Sequence, residues 1–120
     1  MARTEPLLNC NDVAAAKKFY SSLGFETLNT WEPDGKLAWC LIEFKGAPLM
    51  LQQAKDVKVG GADVEIYIIC EDIVEIREQW LKKGIKVSKI HDAFYGMRQM
   101  FVRDPDGRVI CFESVNRESQ

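Results

Sequence analysis

The sequence predicts an α+β domain made of two βαβββ halves, and three observations carry that expectation. The chain repeats itself: Leu8 to Phe25 and Ile68 to Ile85 share one grammar of strand end, capped helix, glycine stop and new strand. Cys10 and Cys70, Asp12 and Asp72, Tyr20 and Trp80, and Gly24 and Gly84 each stand 60 positions apart, and a fixed period is the mark of a repeated unit. After each helix come short extended runs joined by tight turns, which favour antiparallel pairing over a doubly wound sheet. Finally, 120 residues suffice for one shared core, whereas a unit of about 55 residues alone would be marginal.

In order, Glu5 to Leu8 reads as a short strand. Asp12 is a good N-cap, since its carboxylate accepts from the unpaired amides of a first helical turn. Val13, Ala16, Phe19, Tyr20 and Leu23 recur at helical spacing, and Gly24 supplies the left-handed stop. Phe25 to Trp31 and Leu37 to Phe44 are strands around a Glu32-Pro33-Asp34-Gly35 turn, and Lys45-Gly46-Ala47 turns into Pro48 to Gln53. The first module covers about 3–54, a polar, glycine-bearing linker about 55–62, and the second module about 63–115. The second module runs strand Val64 to Cys70, helix Ile73 to Lys83 capped by Asp72, and strand Lys86 to Ile90. A loop over Asp92 to Gly96 leads to strand Met97 to Val102, the turn Asp104-Pro105-Asp106-Gly107 and strand Val109 to Glu113. Asn116 to Gln120 reads as a frayed end.

With 28% charged residues and a net charge of −2, the chain shows no electrostatic footprint for nucleic acid or a membrane surface. No apolar run approaches the ~20 residues of a bilayer span, and the N-terminus lacks a signal peptide's apolar segment. Cys10, Cys40, Cys70 and Cys111 form no Cys-x-x-Cys pair, so free thiols in a reducing compartment are expected and the cytoplasm is the expected address.

Trp31, Trp39, Tyr67, Phe94, Tyr95 and Phe101 fall on strands or on the loop before one, where aromatic walls suit flat-ringed ligands. Tyr20 and Trp80, on the helices, read as core. His91 is either a general base or a surface residue at a strand end. Cys111 lies between apolar Ile110 and Phe112, which argues for an inert thiol. There is no glycine-rich phosphate loop and no specific Ser-His-Asp set.

Asn11-Asp12-Val13 through Phe19-Tyr20-Ser21-Ser22-Leu23-Gly24-Phe25, together with Met100-Phe101-Val102-Arg103-Asp104-Pro105-Asp106-Gly107-Arg108-Val109-Ile110, resemble the two ends of a vicinal oxygen chelate domain. That superfamily holds glyoxalase I, bleomycin resistance proteins and extradiol dioxygenases. The resemblance spans essentially the whole chain. It implies paired βαβββ modules forming curved, antiparallel-rich sheets with a cleft, and commonly a homodimer. In the metal-dependent members four cleft-facing side chains, usually His and Glu, hold one divalent ion. The matching positions here are Glu5, Met50, Glu65 and Cys111. Phe94-Tyr95-Gly96-Met97-Arg98 resembles the aromatic-Gly-x-Arg segment of bleomycin-resistance-like relatives, which implies that Tyr95 and Arg98 stand at the cleft mouth.

A thioether and a thiol beside two carboxylates are a mismatched donor set: sulfur suits soft metals, carboxylates hard ones. Glu5 and Glu65 are open to two readings, as solvated rim carboxylates or as an acidic pair that attracts a cationic ligand. Gln52 and Glu113 share a strand face with Met50 and Cys111 under period-2 alternation, so they join the candidates. The expectation is a protein that binds a small aromatic or cationic compound through Glu5, Trp39, Met50, Gln52, Glu65, Tyr67, Tyr95, Arg98, Cys111 and Glu113, with no cofactor. The alternative is a lyase, isomerase or dioxygenase using a divalent ion on Glu5, Glu65 and Glu113, with Gln52 as a further donor.

Overall fold

The computed structural model describes residues 1–59, 61 and 63–117. Parts of the expected linker (residues 60 and 62) and of the expected frayed end (118–120) lie outside the described residues. The chain forms two compact units, residues 1–59 and 60–120. The first contains β1 (Leu7–Cys10), α1 (Val13–Leu23), β2 (Glu26–Trp31), β3 (Trp39–Phe44) and β4 (Ala47–Gln53). The second contains β5 (Val64–Ile69), α2 (Ile73–Lys82), β6 (His91–Asp92), β7 (Met97–Arg103) and β8 (Val109–Val115). Each has a four-stranded sheet, ordered β1-β4-β3-β2 and β5-β8-β7-β6. The last three strands of each unit pair antiparallel, while the first joins the last in parallel. The sheets are therefore mixed.

Local chemistry explains the elements. The Asp12 carboxylate accepts from Ala15 N at 3.0 Å, and Asp72 accepts from Val74 N and Glu75 N at 3.0 and 3.4 Å. Each cap is worth about 1 kcal/mol. Gly24, at φ 114°, ends α1 by donating to Ser21 and Tyr20 carbonyls. Lys45 and Gly46, at φ 47° and 93°, make the two-residue turn that joins β3 to β4 with the twist a hairpin favours. The apolar stripe of α1 buries Val13, Ala16, Tyr20 and Leu23. Tyr20, Phe25 and Phe44 follow one another at ring-centroid spacings of 5.3 and 5.2 Å. In the second unit Trp80 of α2 meets Phe112 of β8 edge-on at 4.9 Å. Tyr20 and Trp80 are core, as expected.

Most expected strand ends shift by one or two residues, and two departures have a clear cause. The first strand begins at Leu7 rather than Glu5, because Pro6 has no N–H for the ladder and contributes only its carbonyl, to Met50 N at 2.8 Å. Lys86 to Ile90 forms no regular strand. Ser88 N donates to Phe101 O at 3.0 Å, but Phe101 N donates to the Ser88 hydroxyl at 2.9 Å where a ladder would offer a carbonyl. Ladder pairing resumes only at His91–Asp92. No helix among the described residues is long and apolar enough to cross a membrane.

Candidate functional site

Residues directly opposite in a sheet share a face, so the register of the second unit lays out its chemistry. One row runs Ile69, Glu113, Gln99, His91, and the next runs Tyr67, Cys111, Phe101. The alternate positions on β8 serve α2: Phe112 packs on Trp80, and the Ser114 hydroxyl accepts from Ile73 N at 3.4 Å. The row containing Glu113 therefore lies on the face turned away from the helix.

On that face Gln99, Tyr95 and Glu113 close a triangle of hydrogen bonds. Gln99 Nε2 donates to Glu113 Oε2 at 2.9 Å and to the Tyr95 hydroxyl at 2.6 Å, and the Tyr95 hydroxyl donates to Glu113 Oε2 at 3.0 Å. Glu113 is 5% exposed and Gln99 7%. A carboxylate so buried needs donors, and both fall on one oxygen. Glu113 Oε1 makes no hydrogen bond among the described residues and keeps its acceptor capacity. Desolvation first, then the hydrogen bond to Glu113 and its negative charge, push the Tyr95 phenol up to about 12. At neutral pH the proton stays on Tyr95, and Glu113 is left as an anchored acceptor. Burial, then the charges of Glu113 and Cys70, push the Cys111 thiol up to about 12. Cys111 is thus a neutral, buried thiol, unsuited to act as a nucleophile.

The other sequence-derived positions divide by unit. Tyr67 is exposed beside Cys111. Glu65 is exposed at the irregularity between Val64 and Ile66. Arg98, one residue from Gln99, takes the opposite face by alternation, and its Nε lies 3.4 Å from Asp92 Oδ1. In the first unit the corresponding rows are Asn9, Gln52, Trp39, Trp31 and Leu7, Met50, Leu41, Asn29. Gln52 Nε2 donates to Asn9 Oδ1 at 3.3 Å. Glu5 precedes β1 and pairs with Arg3 at 3.0 Å, which also reaches Glu43 at 3.6 Å. Gln99 was not singled out from the sequence. The signal was present: counting outward from the hairpin pair Arg103–Val109 sets Gln99 opposite Glu113.

These residues do not suit a divalent cation. Met50 offers only a thioether, Cys111 is fully buried between apolar neighbours, and Glu5 is engaged by an arginine. Glu113 already accepts two hydrogen bonds on Oε2. Among the described residues no three His, Cys, Asp or Glu side chains are grouped as a metal ion requires.

Comparison with known proteins places this geometry in context. The family model described as Glyoxalase/Bleomycin resistance protein/Dioxygenase superfamily matches residues 4–112. Similar solved structures include a bleomycin-binding protein complexed with bleomycin, at 16% identity and a TM-score of 0.79, covering 95% of this chain and 98% of that one. A glyoxalase/bleomycin resistance protein/dioxygenase from Alicyclobacillus acidocaldarius has 16% identity, a TM-score of 0.76 and coverages of 97% and 92%. A lactoylglutathione lyase from Agrobacterium tumefaciens has 19% identity, a TM-score of 0.70 and coverages of 94% and 92%. No protein of curated function matches the sequence.

Proposed function

The chain belongs to the glyoxalase/bleomycin resistance protein/dioxygenase superfamily, and on that premise we propose that it binds a small cationic or amine-bearing aromatic compound without a metal. The observation that carries the reading is Glu113: a nearly buried carboxylate on the helix-free face, fixed by Tyr95 and Gln99 with one oxygen left to accept. A charge-assisted hydrogen bond to such an oxygen is stronger than one between neutral groups. Exposed Tyr67, Phe94 and Tyr95 supply flat apolar surface within the same unit, Phe94 and Tyr95 meeting edge-on at 5.3 Å. A bleomycin-binding protein among the similar folds supports the ligand class.

In this reading the ligand sits on the helix-free face of the second unit, where Glu113, Tyr67, Tyr95 and Cys111 lie. Trp39, Met50 and Gln52 lie on the corresponding face of the first unit, Glu5 and Glu65 are exposed charges, and Arg98, on the opposite face beside Asp92, takes no part. The metal-dependent lyase, isomerase or dioxygenase alternative is disfavoured by the donor chemistry of these same residues. We further propose a homodimer, on the family resemblance, and a cytoplasmic address, which four free cysteines support.

A thermal-shift screen of cationic aromatic compounds, bleomycin among them, tests the proposal. A genuine ligand at 100 times its Kd adds about 2.7 kcal/mol of stability. The expected result is a rise in Tm for the native protein that largely disappears in Glu113→Gln. A screen that raises no Tm, or equal rises in the variant, would overturn it.

A further inference from the structure

The second unit holds a cavity of about 580 Å³, within the size range of small-molecule sites. Val64, Val87, Phe101 and Val109 form its apolar walls, and Lys86 and Arg103 supply its charge. Val64, Val109 and Arg103 stand in one register row, and Phe101 belongs to the next. The Ser88–Phe101 hydrogen bonds hold the segment bearing Lys86 along the outer edge of β7.

Among the described residues this charge has no acidic partner. Arg103 Nη1 donates to the carbonyls of Gly107 at 2.9 Å and Gly61 at 3.3 Å, which fixes the guanidinium. Its Nε and Nη2 donors make no hydrogen bond among the described residues. Lys86 is exposed and makes no ion pair among the described residues. Among the described residues no carboxylate lines the cavity. The neighbouring Asp104 is committed to the buried Arg108 at 2.7 Å.

From this combination we infer that the cavity binds the anionic end of an apolar-bodied ligand, an aromatic or aliphatic carboxylate. The planar fork of Arg103 matches a carboxylate, and the valines and Phe101 take the body. The inference stands on residues other than Glu113 and is independent of the reading above. Phe101 and Gln99 are same-face neighbours on β7, about 7 Å apart along the strand.

Naphthoate and its neutral analogue naphthamide are suitable probes, titrated by calorimetry and by backbone amide NMR. Naphthoate is expected to bind about tenfold more tightly than the amide, the scale of one charge-assisted contact. Its shifts should centre on Val64, Phe101 and Val109. Lys86→Glu, at an exposed position that leaves the fold intact, should weaken naphthoate by a similar factor and leave naphthamide unchanged. Arg103→Gln should erase the preference for the acid, and Glu113→Gln should leave it in place. No binding of naphthoate, equal affinity for acid and amide, unchanged affinity in Lys86→Glu, or shifts centred elsewhere would each overturn the inference.

Discussion

Tyr95 is half exposed, yet its phenol holds its proton more tightly than usual because desolvation and the Glu113 carboxylate both oppose a phenolate. In a spectrophotometric titration one of the three tyrosines should ionise near 12, moving toward the ordinary 10.0 in Glu113→Gln. Ionisation of that group near 10.0 in the native protein would break the Tyr95–Glu113 link. Cys111 behaves in the same sense, its thiol rising from 9.0 to about 12. The folded state binds both protons more tightly than the unfolded one. Their contribution is therefore complete below the unfolded values and is lost as pH rises from about 9 to about 12. Thiol labelling at neutral pH should find half-buried Cys70 first, with buried Cys10, Cys40 and Cys111 protected until unfolding. At this scale the sequence was partly legible. Alternation from Cys111 reached Glu113, but Gln99 is an unremarkable amide until the hairpin register sets it opposite a carboxylate. Arg98 shows the converse, since a motif suggested the cleft mouth while strand alternation turned the side chain to the other face.

The two helices were legible because their signals are local: an aspartate cap, apolar spacing of three and four, and a glycine beyond the last turn. Asp72→Ala should cost about 1 kcal/mol in urea denaturation. Trp80→Ala, which empties the contact with Phe112, should cost about 3–5 kcal/mol. Gly24→Ala should cost more than Gly84→Ala. Both glycines have positive φ, but a Cβ at Gly24 would stand 3.3 Å from the Phe44 ring while one at Gly84 meets nothing within 4 Å. Equal losses at the two glycines would remove the role given to the Gly24–Phe44 approach. The edge segment Lys86 to Ile90 was misread for a physical reason. Its composition suits a strand, but the Ser88 hydroxyl captures the Phe101 amide, and no residue-by-residue propensity anticipates that competition.

Across the whole molecule the sequence period survives as a register. Leu7 and Tyr67, Leu41 and Phe101, Trp39 and Gln99, and Trp31 and His91 occupy matching sheet positions 60 residues apart, while Met50 and Cys111, and Gln52 and Glu113, are 61 apart. One added residue before β8 accounts for the change. Duplication preserved the backbone and let the side chains diverge: Asn9, Gln52, Trp39 and Trp31 in the first unit answer to Ile69, Glu113, Gln99 and His91 in the second. Only the second row contains a buried carboxylate, which is why we propose recognition of a cation there. The fold was thus legible from repeats and turns, whereas the site depended on a cross-strand pairing between residues whose types alone announce nothing. The most direct test is a calorimetric titration with the best cationic aromatic compound from the thermal-shift screen, run with and without EDTA on the native protein and on Glu113→Gln. The expected result is an affinity indifferent to the chelator and weakened about tenfold in the variant, the scale of one charge-assisted hydrogen bond. Binding abolished by EDTA and restored by added divalent metal, with Glu113→Gln unaffected in the restored protein, would contradict it.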